Sequence, residues 1–349
     1  MHIPDGMLDV KTFATLWTGG AGCVAYASWW IRKHLDGAKI VLMAVLAALI
    51  FGLQMLNFPI AAGTSGHFTG GAFVGILLGA WPACIVMSVV LVVQALFFGD
   101  GGITTFGANL INMGVIAPFV AAFIYQIAQR ISKSYAAKII GAFIGAFVAI
   151  VASSAAVALE LWASNHAQFF VALGSMVFWH TLIGIGEGII TAGLVAYIVK
   201  VRPQLLSGER ETHDTTQTGW GTKTKQGTKT EQGASSLKSV CVVLGILAVA
   251  AAGLSFLASE HPDGLEFVYF ETGVGLEFEE SVYVSMAPLS DYLLPGVDSK
   301  ILAKIGAGII GGVLTGITIL GLVTLLKRQA SKRIKQKEQA GEAKEAQRL

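Results

Sequence analysis

An all-α protein that crosses a lipid bilayer many times is predicted by three observations on the 349-residue sequence. Hydrophobic residues make up 54% and charged residues only 13%, with a mean hydropathy of +0.67. A soluble domain carries roughly 25% charged residues. Eight apolar runs approach or exceed the roughly 20 residues that a helix needs to span the hydrocarbon core, near 11–31, 40–58, 68–98, 106–129, 138–161, 173–199, 239–258 and 301–326. Basic residues recur at the ends of these runs, as they do at cytoplasmic helix ends. The 42 glycines suit helices that approach closely in lipid.

The third run, 68–98, has 31 residues, too many for one ordinary span. It contains "LLGAWPAC" at 77–84, where Pro82 and small residues interrupt a helix. Basic clusters lie at Arg32, Lys33 and Lys39, at Arg130, Lys133 and Lys138, at Lys200 and Arg202, and from Lys327 onward. If 68–98 is two short helices turning at Trp81-Pro82, every cluster falls on one face of the membrane. That split gives nine helices with the N-terminus outside and the C-terminus in the cytoplasm.

Seven helices form a first unit over residues 1–200, and two form a second over 239–326. The outer side then carries the N-terminus, the loop around His67, "GDGGITTFGAN" (99–109), the loop from Glu160 to Gln168, and residues 259–300. Glu160, at an outer helix end, is expected to be exposed. Residues 201–238 are polar, with the repeat "GTKTKQ-GTKTEQ" at 221–232, and read as a flexible cytoplasmic linker. The charged tail, 327–349, reads as a solvated helical end in the cytoplasm, with anionic lipid a further contact. Ala44, Ala48 and Gly52, four apart, let either another membrane protein or another helix of this chain pack closely.

Several classes are excluded. A net charge of +2 without a basic-aromatic surface pattern argues against nucleic acid. No G-x-x-x-x-G-K-[ST] occurs, so there is no ATP site of that kind. Cys23, Cys84 and Cys241 stand singly in apolar runs and read as small buried hydrophobes. No residue set resembles a catalytic nucleophile with its acid-base partner. An intramembrane metalloenzyme needs an open metal position and a nearby base. An ion-coupled carrier predicts two similar halves with broken-helix ion sites. Neither pattern is found.

The chain begins "MHIPDG", which is no signal peptide: acidic Asp5 and Asp9 precede the first base, Lys11. The α-amine of Met1, the amide nitrogen of His2 and the His2 imidazole Nδ1 can close fused five- and six-membered chelate rings. Tetragonal nitrogen ligation of this kind suits Cu(II) or Ni(II). Pro4 and Asp5-Gly6 bend the chain so that its end tucks inward. A fourth ligand is needed, and His67 in the uncharged, glycine-rich "PIAAGTSGHFTGG" (59–71) is the candidate. The alternative is a loop histidine satisfied by backbone carbonyls. Its placement on the same side as the N-terminus favours the ligand.

"MHIPDG", "GTSGHFTGG", "QALFFGDGGITTFGANLINMG" (94–114) and "HTLIGIGEGIITAG" (180–193), in this order, resemble the NikM/CbiM family. These are substrate-binding (S) components of energy-coupling-factor transporters for nickel and cobalt. The resemblance covers about residues 1–200. "EHPDGLEF" (260–267) resembles the PDGLE module of the NikN component, its core being Pro262, Asp263, Gly264, Leu265 and Glu266. The whole chain is thus similar to a fused NikMN protein. The resemblance implies a seven-helix S-component bundle with near-square-planar nitrogen coordination by Met1, His2 and His67. It implies Ni(II), or alternatively Co(II) for cobalamin synthesis, as transported substrate. It also implies a multi-pass protein of the cell (inner) membrane, working with a transmembrane coupling (T) component and two cytoplasmic ATPase subunits.

Other polar residues have roles left open. His180 and Glu187, seven apart on one helix, lie about 10 Å apart along it. That is too far to chelate one ion, so they partner other helices or tune the ligands from behind. Asp100, Asn109 and Asn112 either form a lid that hydrogen-bonds the ligands or perform ordinary loop and capping chemistry. His261 with Glu260, Asp263, Glu266, Glu271, Glu277, Glu279 and Glu280 makes an acidic outer segment. It either collects divalent cations loosely or, the favoured reading, folds against the first unit and opens or orders its N-terminus.

Overall fold

The computed structural model describes residues 1–35, 38–206, 227–272 and 286–346. Its helices run in chain order α1 (Val10–His34), α2 (Ala38–Gln54), α3 (Gly71–Leu78), α4 (Ala80–Val93), α5 (Phe106–Asn109), α6 (Ala117–Ile131), α7 (Tyr135–Ala163), α8 (Phe169–Val201), α9 (Gly227–Leu254), α10 (Gly264–Glu266) and α11 (Lys300–Ala346). Among the described residues, six helical segments are long and apolar enough to cross a membrane, and Lys39–Gln54 is a shorter apolar helix. The architecture is helical and polytopic, as the composition requires. One small addition breaks the all-helical pattern. Strands β1 (Asn57–Pro59) and β2 (Ser65–His67) pair antiparallel, with Asn57 opposite His67.

Helix ends follow local chemistry. Asp9 caps α1 by accepting from Thr12 N at 2.9 Å, and Ser134 caps α7 by accepting from Ala137 N at 3.2 Å, each satisfying an orphan N–H of a first turn. The interruption in 68–98 lies at Gly79, not at Trp81-Pro82 as the sequence suggested. Gly79 has φ of 90°, ends α3 and precedes α4. Pro82 falls in the first turn of α4, where its missing N–H leaves no intrahelical bond unmade. Two π-helical stretches, Gln94–Phe98 and Leu110–Ile116, extend α4 and join α5 to α6.

Helix α7 packs along α8 and α6, while α11 and α9 pack against α2. Ala44, Ala48 and Gly52 face these last two helices. A side chain on Gly316 would come within 3.3 Å of the Ala44 carbonyl, and one on Gly52 within 3.1 Å of the Ala248 carbonyl. The intramolecular reading of these small residues is therefore the one realised. The last dozen residues assigned to the linker, 227–238, belong to α9; residues 207–226, including half of the repeat, lie outside the described residues.

Both ends of 68–98 reach one end of the bundle, because His67 stacks on His2 and Asp100 contacts the same ring. At the opposite end, Lys327 Nζ donates to the Arg32 carbonyl at 3.4 Å. A large core is built from α2, α3 and α4. A second, smaller core gathers Met1, Ile3, Met7 and Leu8 with Val157, Leu161, Met176 and, from the C-terminal unit, Leu265 and Tyr269. The N-terminal strap is thus part of the interior.

Candidate metal centre

The strap is fixed by its backbone. Ile3 N donates to Asn109 Oδ1 at 2.7 Å, and the Ile3 carbonyl accepts from Thr105 Oγ1 at 2.5 Å, Gly102 N at 2.9 Å and Asn109 Nδ2 at 3.0 Å. Asp5 Oδ1 accepts from Thr104 N at 2.7 Å and Thr104 Oγ1 at 2.5 Å. Gly6 turns the chain with φ of 95°, a conformation glycine adopts without steric cost. Asn109 therefore grips the strap directly, and "GDGGITT" is the bed on which it lies.

This bed delivers the chain end to the two expected histidines. The Met1 amine lies 2.9 Å from His67 Nε2. The His2 and His67 rings stack at 5.2 Å between centroids and 19° between planes. Two nitrogens about 2.0 Å from one ion and at right angles are about 2.8 Å apart, so Met1 N and His67 Nε2 already have the spacing of neighbouring ligands. Burial lowers the pKa of both imidazoles, and the nearby Met1 amine pushes His67 further down. Neutral imidazole is the form that binds a metal ion. Buried His2 Nε2 and His67 Nδ1 have no hydrogen-bond partner. Among the described residues no three His, Cys, Asp or Glu side chains converge to hold an ion; this donor set depends on main-chain nitrogen instead.

His2 Nδ1, the ring atom expected to chelate, lies 3.1 Å from Asp100 Oδ1. Asp100 Oδ2 accepts from Tyr292 OH at 2.5 Å, and Gln94 Nε2 donates to the same hydroxyl at 3.2 Å. Burial and the adjacent Asp100 push the Tyr292 hydroxyl well above its ordinary pKa, so it remains a donor. Tyr292 also stacks on Phe98 at 4.9 Å. Nothing in the sequence around Tyr292 marks it; its role depends on a contact 192 positions away.

His67 ends β2, and the residues after it are held by two helices. Glu187 of α8 accepts from Thr69 N at 2.7 Å, Thr69 Oγ1 at 3.0 Å and Gly70 N at 3.0 Å. Gln54 of α2 donates to the Thr69 carbonyl at 2.7 Å. Glu187 thus anchors the backbone just ahead of α3 from another helix and fixes it two residues beyond His67. His180 plays a different part. Its Nδ1 bonds the Met176 carbonyl of its own helix at 2.8 Å, and its ring abuts Gly264, where an added Cβ would approach to 3.0 Å.

The C-terminal unit closes on this centre. Ser65 N donates to the Pro262 carbonyl at 2.8 Å, and Ser259 N to the Asn57 carbonyl at 2.8 Å, so the segment docks on the β-ribbon. Asp263 caps α10: its Oδ1 accepts from Leu265 N and Glu266 N, while Asp263 N donates to Glu266 Oε2. Its other oxygen takes the Met1 amine and lies 3.8 Å from His67 Nε2. Burial alone raises a carboxyl pKa, but the Met1 amine and His67 outweigh it and hold Asp263 well below the usual range. Beside that charge, and partly desolvated, Glu266 is pushed up to about 7. Of "PDGLE", Leu265 is core, Gly264 gives close approach, and Asp263 meets the Met1 amine and His67.

Two further expectations need correction or limits. Glu160 is buried, not exposed: its Oε2 accepts from Asn112 Nδ2 at 2.9 Å. Asn112 therefore pairs within the bundle, with its carbonyl taking Ser153 Oγ at 2.8 Å, and does not touch the ligands. Glu277, Glu279 and Glu280 lie outside the described residues.

A buried terminal amine beside two imidazoles, on a polytopic helical bundle, defines a membrane protein with a nitrogen-rich cluster at one end. Residues 2–205 match the family described as cobalt uptake substrate-specific transmembrane region, and residues 238–328 match the PDGLE domain. The chain belongs to the cobalt uptake substrate-specific transmembrane family. It is 35% identical, over 95% of its length and 99% of the relative's, to a protein of Archaeoglobus fulgidus provisionally named fused nickel transport protein NikMN. It is 32% identical to the cobalt transport protein CbiM of Thermosediminibacter oceani, over 60% of this chain and 87% of that one. A crystal structure of a truncated transition metal transporter superposes with a TM-score of 0.53 at 34% identity, covering 57% of this chain and 99% of that one.

Proposed function

We propose that this protein is the substrate-specific component of an energy-coupling-factor importer for Ni(II). The ligands would be the Met1 amine, the His2 amide and Nδ1, and a His67 imidazole nitrogen. The observation that carries the reading is the 2.9 Å approach of the Met1 amine to His67 Nε2, with His2 stacked on the same ring. Loading then exchanges protons for the ion: the Met1 ammonium and the His2 amide each give one up to solvent, as Asp263 leaves the amine and Asp100 leaves His2 Nδ1. The docked PDGLE segment supports a role for the C-terminal unit in ordering the N-terminal strap. The ligand-bearing end is assigned to the outside and the Arg32–Lys327 end to the cytoplasm, in a multi-pass protein of the cell membrane. Energy comes from a transmembrane coupling component and two ATPase subunits, which this reading requires as partners.

Relatives named for cobalt support a second reading, Co(II) through the same atoms. Planar nitrogen ligation favours low-spin Ni(II). The test is metal binding by purified protein, with Ni(II), Co(II) and Cu(II) in competition. The variants are His2→Ala, His67→Ala and one residue added before Met1. Each variant is expected to lose at least a hundredfold in nickel affinity and the planar-nickel absorption band. Normal nickel uptake by the extended protein would remove the amine from the ligand set and sink the reading.

A further inference from the structure

A polar cavity of about 350 Å³ lies between the two units, directly over the candidate ligands. His2 and His67 form part of its floor, and Asp100, Asp263, Glu266 and Asp291 contribute carboxylates to its wall. Lys304 is the cation on the wall, and the Met1 amine lies behind Asp263. Four carboxylates against two cations leave the cavity negative whether or not Glu266 is ionised. Two wall residues are almost completely buried and carry side-chain atoms without partners: His2, 8% exposed, with Nε2, and Gln54, 3% exposed, with Oε1. The carboxylates are spread around the space instead of converging on one point, so they are poorly placed to strip a cation of its water.

The volume fits a larger guest. Six waters at about 30 Å³ each, the shell of a hexahydrated divalent cation, need about 180 Å³. Such a shell presents only donors, and the carboxylates of the wall are acceptors. We propose that this cavity is a waiting site that holds a divalent cation with its water shell before it exchanges water for the nitrogens below. Being closed on one side by Ser255, Ser259, Asp263, Glu266, Tyr292 and Lys304, the cavity exists only when the C-terminal unit is docked. That gives the unit a function in capture distinct from ordering the strap. A negative, partly walled cleft also concentrates cations and speeds their arrival.

This inference rests on the nickel reading for its second step, but its first step is testable without it. Cobalt(III) hexammine has the size and donor shell of a hydrated cation and cannot exchange its ligands, so it can occupy only such a site. The probe is hexammine itself, followed by calorimetry on the full-length protein and by its effect on stopped-flow nickel association. Two variants change the wall without touching the proposed ligands: Asp291→Asn, which keeps a residue type tolerant of the φ of 54° found there, and Lys304→Glu. Removing one charge about 7 Å from a divalent ion is expected to slow nickel association about sevenfold at low salt. Lys304→Glu is expected to speed it by at least as much, with dissociation rates unchanged in both. Hexammine is expected to bind the wild type, to slow nickel association competitively, and to bind Asp291→Asn more weakly. If hexammine neither binds nor slows nickel, or if both variants associate at the wild-type rate, the waiting site is overturned. Failure of the wild type to bind nickel at equilibrium, with hexammine still bound, would instead overturn the nickel reading and leave the cavity site supported.

Discussion

Asp263 contacts the α-amine of Met1 across 262 positions of sequence, with only 2% of the Met1 side chain and 13% of the Asp263 side chain exposed. The first residue of one unit and the capping residue of the other thereby form a single buried ion pair. Its location matters more than its strength, because the amine is also the most distinctive of the proposed ligands.

Replacing one member of a buried pair leaves the other charge uncompensated, which costs about 3 kcal/mol. Asp263→Asn is therefore expected to lower the melting temperature measurably and to expose the 255–272 segment to protease. Asn still caps α10, so the loss should track the missing charge and not the missing cap. Wild-type melting and cleavage in Asp263→Asn would show that the pair contributes nothing to docking.

The pH dependence of docking has a definite sign. His2 and His67 have folded pKa values below the ordinary 6.5, so protons bind the unfolded or undocked form first. Their contribution is complete above about pH 6.5 and is lost as pH falls below it. Glu266 runs the other way: raised to about 7 from 4.5, it favours the folded form at low pH and loses that advantage as pH rises from 4.5 to 7. The two trends oppose each other between pH 5 and 7. Glu266→Gln removes one of them, so melting temperature should rise more steeply with pH in this variant than in the wild type. Parallel profiles would show that Glu266 does not titrate in that window.

Much of this centre was legible in the sequence because its elements are local. Apolar runs mark the helices, and "MHIPDG" offers the nitrogens of a candidate chelate within two residues. His67 then follows from the side of the membrane on which its loop falls. The remainder depends on tertiary contacts that leave no periodicity. Glu160 sits near a helix end, where exposure is the ordinary expectation, yet Asn112 from the π-helical stretch reaches it. Pro82 is the stronger helix breaker by composition, but Gly79 takes the left-handed turn and leaves Pro82 in a harmless first turn. Tyr292 reaches Asp100, and Asp263 reaches Met1 and His67, each across roughly 200 or more positions, so only the folded chain reveals them. The β-ribbon was read as loop because its strands are three residues each and contain Pro59 and Gly66.

Glu187 is placed to control His67 without touching an ion. Both its oxygens accept from N–H or O–H groups of Thr69 and Gly70. In Glu187→Gln one oxygen becomes an amide NH2 that must face a backbone donor. Loss of an outer hydrogen-bonding partner weakens metal affinity about 10- to 100-fold, and this variant is expected in that range. His180→Ala on the same helix is the comparison, since its Nδ1 bond is to its own helix; its effect on nickel affinity should be several times smaller. Equal losses in the two variants would reduce Glu187 to a general packing role.

Gly102 offers the sharpest test of the strap. A Cβ there would come within 2.2 Å of Asp5 Oδ1, 2.4 Å of Asp5 N and 2.5 Å of Thr105 Oγ1. Two of those atoms belong to the strap and the third bonds its Ile3 carbonyl. Gly102→Ala therefore cannot be absorbed by moving one flexible side chain; residues 3–5 must lift from the bed. Lifting them carries Met1 and His2 away from His67, while the bundle beneath keeps its apolar core. The expected result is a protein that still inserts and melts cooperatively, with nickel affinity reduced at least a hundredfold. Adding a residue before Met1 to this variant should cost little more, because the amine is already displaced. Additive losses would show instead that the strap reaches His67 by a route independent of Gly102.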